Sequence, residues 1–141
     1  FLIDMNGWND HSFVPRIRFG FIAHNTGGGL PEKLVRPLFE LGHSLVLDDL
    51  HMPSDLMREV VIGEGMGDLQ AYEILNGGQG AFIVVRETDV RETLGFARQA
   101  GLDPRVVGTI VAAPKSGPYA EVLSRYTERK FRIVASESMR N

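Results

Sequence analysis

The chain has 141 residues, a formal charge of −3, 16 glycines and no cysteine. That length fits one domain able to bury a core without a staple, and the missing cysteines exclude a disulfide framework, a thiolate metal site and a cysteine nucleophile. The charge gives no general attraction to nucleic acid or an anionic membrane, and the longest apolar run, Ala81 to Val85, is far too short to span a bilayer.

Residues 1–15 show little beyond turn signals at Asn6-Gly7 and Asn9-Asp10, so they are expected as a lead-in to one domain over residues 16–141. The chain starts at Phe1 without an initiator methionine or a signal-peptide pattern, which we read as a fragment of something longer. From Arg16 to His24 the residues alternate, with Ile17, Phe19, Phe21 and Ala23 on one face, so a strand is expected. Asn25-Thr26-Gly27-Gly28-Gly29 ends it. Pro31 suits a first helical position; Leu34, Val35, Leu38 and Leu41 come next at helical spacing, and Gly42 is the stop. Ser44 to Leu47 reads as a short buried strand. Ser54 is the expected N-cap of a helix with Leu56, Met57, Val60 and Val61 as its apolar stripe. After the loop Gly63 to Gly67, Asp68 is expected to cap a short helix closed by Asn76-Gly77. Gly80 to Val85 reads as a strand. Thr88 is expected to cap a helix carrying Val90, Leu94 and Ala97, which stops at Gly101. Arg105 to Ala112 is β-rich. The alternation in Tyr119 to Thr127 favours a strand pairing with Phe131 to Ala135. Together these elements predict an α+β fold, a mixed β-sheet with helices packed on it.

Nine of the glycines fall in three clusters: Gly27 to Gly29, Gly63/Gly65/Gly67 and Gly77/Gly78/Gly80. The first sits between a strand and a helix start, where backbone N–H groups can face an anion. Thr26 and the backbone of Gly27 to Gly29 are the expected contacts. A tight connection with no ligand fits the same pattern equally well. Asn76-Gly77-Gly78-Gln79-Gly80 reads as a helix C-cap or as a ligand loop, with Asn76 either donating its side-chain amide or capping its helix. His24 either hydrogen-bonds a substrate or is a structural histidine at a strand end. Gly63 to Gly67 reads as a surface loop and Asp48, Asp49 and His51 as a solvated turn, with metal ligation the less favoured alternative. His11 and His43 read as surface residues, and Arg125, Arg129, Lys130 and Arg132 as a solvated face. No catalytic triad or Mg²⁺-holding carboxylate cluster stands out.

His24-Asn25-Thr26-Gly27-Gly28-Gly29-Leu30-Pro31-Glu32, continuing to Leu34 and Arg36, resembles the H-x-T-G-G-G-(L/F)-x-E-N-(L/I)-x-R segment of aminoimidazole ribonucleotide synthetase, also called phosphoribosylformylglycinamidine cyclo-ligase. Downstream, Tyr72, Asn76, Gly78 and Gly80 resemble the family's Y-x-x-(F)-N-x-G-x-G, and Gly108-x-Ile110 resembles a later strand. The likeness runs from about Arg16 to Val111, within the family's carboxy-terminal domain. Lys33, Gln70 and Leu75 depart from it, standing where Asn, Glu and Phe are usual. Looser relatives include formylglycinamidine ribonucleotide amidotransferase, thiamine-monophosphate kinase, selenophosphate synthetase and a hydrogenase maturation protein.

The resemblance implies a cytoplasmic, two-domain, ATP-dependent homodimer that closes the imidazole ring of aminoimidazole ribonucleotide from formylglycinamidine ribonucleotide. It implies that ATP and Mg²⁺ are handled mainly by an amino-terminal domain, the partner of this one, and that this chain is not catalytic alone. His24, Thr26, Gly27, Gly28, Gly29, Asn76, Gly78 and Gly80 would then form a phosphate- or substrate-binding surface, with no catalytic and no metal-binding residue here. The other readings are a stand-alone ligand-binding or regulatory module of the same fold, and a domain of another superfamily member.

Overall fold

A computed structural model describes residues 2–5 and 14–135. The turn signals at residues 6–10 and His11 lie outside the described residues. The chain divides into two compact units, residues 1–22 with 83–106, and residues 23–82 with 107–141.

The first unit holds α1 (Leu2–Met5), most of the two-stranded sheet of β1 (Phe19–His24) and β3 (Ala81–Val85), a 3₁₀ turn Glu87–Asp89 and α5 (Val90–Gln99). The strand is shorter than expected: Arg16 and Ile17 form a bend and β1 starts at Phe19, while within it Gly20 and His24 are exposed and Ala23 is buried. The Arg16 guanidinium lies 5.9 Å from the Phe96 ring centre, a cation–π distance. Thr88 does not cap α5. Its hydroxyl donates to the Asp89 carboxylate instead, and the extra 3₁₀ turn moves the helix start to Val90.

The second unit is built on a four-stranded sheet in the order β4 (Gly108–Ala112), β2 (His43–Leu47), β5 (Tyr119–Leu123), β6 (Lys130–Val134). β2 runs antiparallel to β4, with Leu45 opposite Ile110. It runs parallel to β5, with Leu45 opposite Ala120. β5 and β6 form the expected antiparallel hairpin, with Val122 opposite Phe131. Leu45, Leu47, Ala120, Val122 and Ile133 are buried from this sheet, together with the helical residues Leu34, Val35, Leu38 and Tyr72. The α+β reading of the sequence is therefore the fold observed.

The helix after the first glycine cluster departs from the expected stripe. Pro31–Val35 is a π turn, closed by the Arg36 N–H on the Pro31 carbonyl, and runs into α2 (Arg36–Glu40). Pro37 has no N–H to keep the i→i−4 ladder regular. The wider turn rotates the next residues about the helix axis, so Phe39 is buried and Leu41 is 66% exposed. Ser54 caps α3 (Asp55–Gly63) as expected, accepting the Met57 N–H at 3.3 Å. Of the expected apolar stripe only Val61 is buried, and Leu56 is 70% exposed. In α4 (Asp68–Ile74) the N-cap is Gly67. Both Asp68 carboxylate oxygens accept hydroxyl protons from Ser124 and Thr127, so the carboxylate is spent on the β5–β6 turn.

Candidate functional site

β1 ends at His24, and Gly29 donates back to the Thr26 carbonyl at 2.8 Å, closing the first glycine turn. Gly29 has φ +56, and a Cβ there would lie 1.8 Å from the Tyr72 carbonyl oxygen, so no other residue fits. Gly27 is different. Its φ is not positive and a Cβ would meet nothing within 4 Å. The fold itself makes no demand for glycine at 27. Among the described residues the Gly27 and Gly28 N–H groups have no acceptor.

The second glycine loop is an Asx turn. Asn76 Oδ1 accepts the Gly78 N–H at 3.0 Å, and the Gln79 N–H donates to the Asn76 carbonyl at 3.0 Å. Asn76 thus uses its side-chain oxygen within the loop. Gly77, at φ +60, sits where a Cβ would be 2.7 Å from the Tyr72 ring. Gln79 is 2% exposed. Its Nε2 donates to the His51 and Gly77 carbonyls, and its Oε1 accepts the His51 N–H at 3.0 Å, which fixes the loop to the segment after β2. Gly80, like Gly27, has open space where a Cβ would stand.

Asn25 joins the two loops. Its backbone N–H donates to the Gly80 carbonyl at 3.0 Å. Its Nδ2 donates to the carbonyls of Asn76 at 3.1 Å and Gln79 at 2.9 Å. The side chain is 4% exposed, yet its Oδ1 has no partner among the described residues. Two neutral hydrogen bonds contribute about 1 kcal/mol each, and a buried unpaired amide oxygen costs about 1–3 kcal/mol. The terms nearly cancel, so the Asn25 side chain fixes geometry more than it adds stability.

Behind the second loop lies an aromatic group. Tyr72 is fully buried; its ring stacks on Phe131 at 5.8 Å and meets Tyr126 edge-on at 5.2 Å. The Tyr72 hydroxyl accepts the Arg125 N–H at 3.0 Å, and burial raises its pKa. The Tyr126 hydroxyl, beside Gly77, is buried with no partner among the described residues. Burial first, and the neighbouring Tyr72 second, push its pKa up to about 12. It stays protonated near neutral pH.

All eight sequence-predicted site residues fall on these two loops. His24 and Thr26 are exposed at the end of β1, Gly27 to Gly29 form the first turn, and Asn76, Gly78 and Gly80 lie on the second. Asn25 and Gln79 lie inside the two motifs but were not among the candidate site residues, and nor was Tyr126. For Asn25 a signal exists: it continues the inward phase of Ile17, Phe19, Phe21 and Ala23, so it is a polar residue at a buried position. Arg125 is a correction. It does not belong to a solvated face; its Nε donates to the Leu50 carbonyl at 3.0 Å and its guanidinium pairs with Asp49 at 2.7 Å. Among the described residues, no three His, Asp or Glu side chains stand together to hold a metal ion. Nor is any described helix long and apolar enough to cross a membrane.

A strand–glycine turn–helix unit tied to a helix–glycine loop–strand unit, on an α+β fold, defines the class of domain that the H-x-T-G-G-G resemblance implied. The chain belongs to the family of the AIR synthase related protein, C-terminal domain, whose family model matches residues 19–121. It is 35% identical over 118 residues to the trifunctional purine biosynthetic protein adenosine-3 of Bos taurus, covering 79% of this chain and 11% of the relative. It is 31% identical over 97 residues to the phosphoribosylformylglycinamidine cyclo-ligase of Nitrosococcus oceani, covering 68% of this chain and 27% of the relative. The chain thus spans about a tenth and about a quarter of these two proteins.

Proposed function

We propose that this chain is the carboxy-terminal, substrate-cleft domain of an ATP-dependent cyclo-ligase of purine biosynthesis, acting on formylglycinamidine ribonucleotide, and that the two joined glycine loops bind its phosphorylated substrate. The observation that carries this is the glycine at 27: the fold does not require it, its N–H has no acceptor among the described residues, and it stands in the turn that the family pattern shares. Backbone N–H groups at Gly27 and Gly28 and the exposed Thr26 hydroxyl can donate to phosphate oxygens. The missing Cβ at Gly27 lets the ligand approach the backbone. Residues 16–141 act in this reading as one domain.

Mg²⁺ takes carboxylate oxygens and bridges them to the phosphates of ATP. In this reading ATP and Mg²⁺ belong to an amino-terminal partner domain, within a cytoplasmic homodimer. The chain by itself is expected to form no aminoimidazole ribonucleotide from substrate and ATP. In ¹⁵N NMR, ribose 5-phosphate is expected to move the amides of Thr26 to Gly29. A titration that moves only residues away from both loops refutes the site.

A further inference from the structure

Asn25 occupies the variable position of the H-x-T-G-G-G pattern, yet it makes the three hydrogen bonds that join the loops, to Asn76, Gln79 and Gly80. We propose that Asn25 is a positioning residue that couples them, so that a phosphate ester seated at Thr26–Gly29 is registered at Asn76–Gly80 through the Asn25 amide. The inference rests on the proposed function of the loops as a phosphate-ester surface.

Four observations support it. Asn25 directly precedes Thr26, so any adjustment of the turn around a ligand turns the 25–26 peptide and the side chain with it. Both Nδ2 protons are committed to carbonyls of the other loop. The Asn76 carbonyl also receives the Gln79 N–H, while the Asn76 side chain holds the Gly78 N–H. A displacement at Asn76 therefore reaches Gly78 and Gln79 within the same turn. The buried Oδ1 has no partner among the described residues, a poor arrangement for a residue kept to hold the fold and a tolerable one for a residue kept to set a distance. Coupling of this kind needs two sites and a physical element that both bias; here that element is one amide.

The test is a titration of the ¹⁵N-labelled full chain with ribose 5-phosphate, in the native sequence, in Asn25→Leu and in Asn25→Ser. Leu keeps the branched shape and removes both donors; Ser keeps a small polar side chain. In the native chain the amides of Thr26–Gly29 and of Gly78–Gly80 are expected to shift with one midpoint. In both variants the first group still shifts, with affinity weaker by about fivefold, and the second no longer tracks it. A second group that keeps tracking the first at the native midpoint in both variants overturns the coupling and leaves the proposed function standing. A native chain in which neither loop responds overturns the proposed function, and the coupling falls with it. Failure of both variants to fold also overturns the coupling, because Asn25 is then a residue that holds the fold.

Discussion

The Tyr126 hydroxyl is buried with no partner among the described residues, so deleting it removes a cost instead of a bond. A buried, unsatisfied hydroxyl costs about 1–3 kcal/mol. The edge-on contact with Tyr72 at 5.2 Å involves the ring alone and survives in phenylalanine. Tyr126→Phe is expected to raise stability by about 1 kcal/mol at neutral pH, a Tm rise of about 3–4 °C for a chain of this size. Alkaline pH supplies a second signature. The hydroxyl titrates at about 12 in the folded chain and near 10 in the unfolded one. Above pH 10 the unfolded state has released a proton that the folded state still holds, so native stability is complete below that pH and falls as pH climbs toward 12. Two pKa units correspond to at most about 2.7 kcal/mol, reduced to about 2 for a ring in part exposed. The variant lacks this loss, so its advantage widens between pH 10 and 12. Tyr72, also raised, acts in both proteins and cancels in the difference. Urea unfolding followed by circular dichroism at pH 7 and pH 11 measures both effects. A native chain more stable than the variant by about 1 kcal/mol or more at pH 7, or an advantage that does not grow at pH 11, refutes the reasoning.

Two further changes probe the backbone. Gly29→Ala places a Cβ 1.8 Å from the Tyr72 carbonyl at φ +56; a loss of roughly 3 kcal/mol or more is expected, and circular dichroism showing a normal melt would contradict the packing. Glu128 is the only described non-glycine residue at positive φ, +58. Glu128→Gly is expected to gain about 0.5–1 kcal/mol in chemical denaturation, and a loss of similar size would show that its long contact with Arg125 outweighs the strain.

Much of the fold was legible because local chemistry decides it. The strand from Phe19 to Ala23, the Ser54 cap, the pairing of Tyr119–Leu123 with Lys130–Val134 and the glycine stops all come from period, capping and turn residues. The eight candidate residues were legible for a related reason: a glycine loop between periodic segments interrupts a pattern. What failed was whatever depends on a distant neighbour. Leu41 and Leu56 have helical spacing, but a π turn rotates one outward and nothing described covers the other. Asp68 looks like a cap until Ser124 and Thr127 claim it.

The sequence by itself determined the family, the α+β class and the two glycine loops, since each rests on residues close together in the chain. Only the tertiary structure decided that the loops meet. Asn25 and Gln79 lie 54 positions apart, and no periodicity marks which buried amide will satisfy which carbonyl. It also separated two kinds of glycine. Gly29 is fixed by the Tyr72 backbone pressed against it, while Gly27 has open space beside it and an N–H with no described acceptor. That difference is set by neighbours far along the chain, and the identical letters of the motif do not carry it.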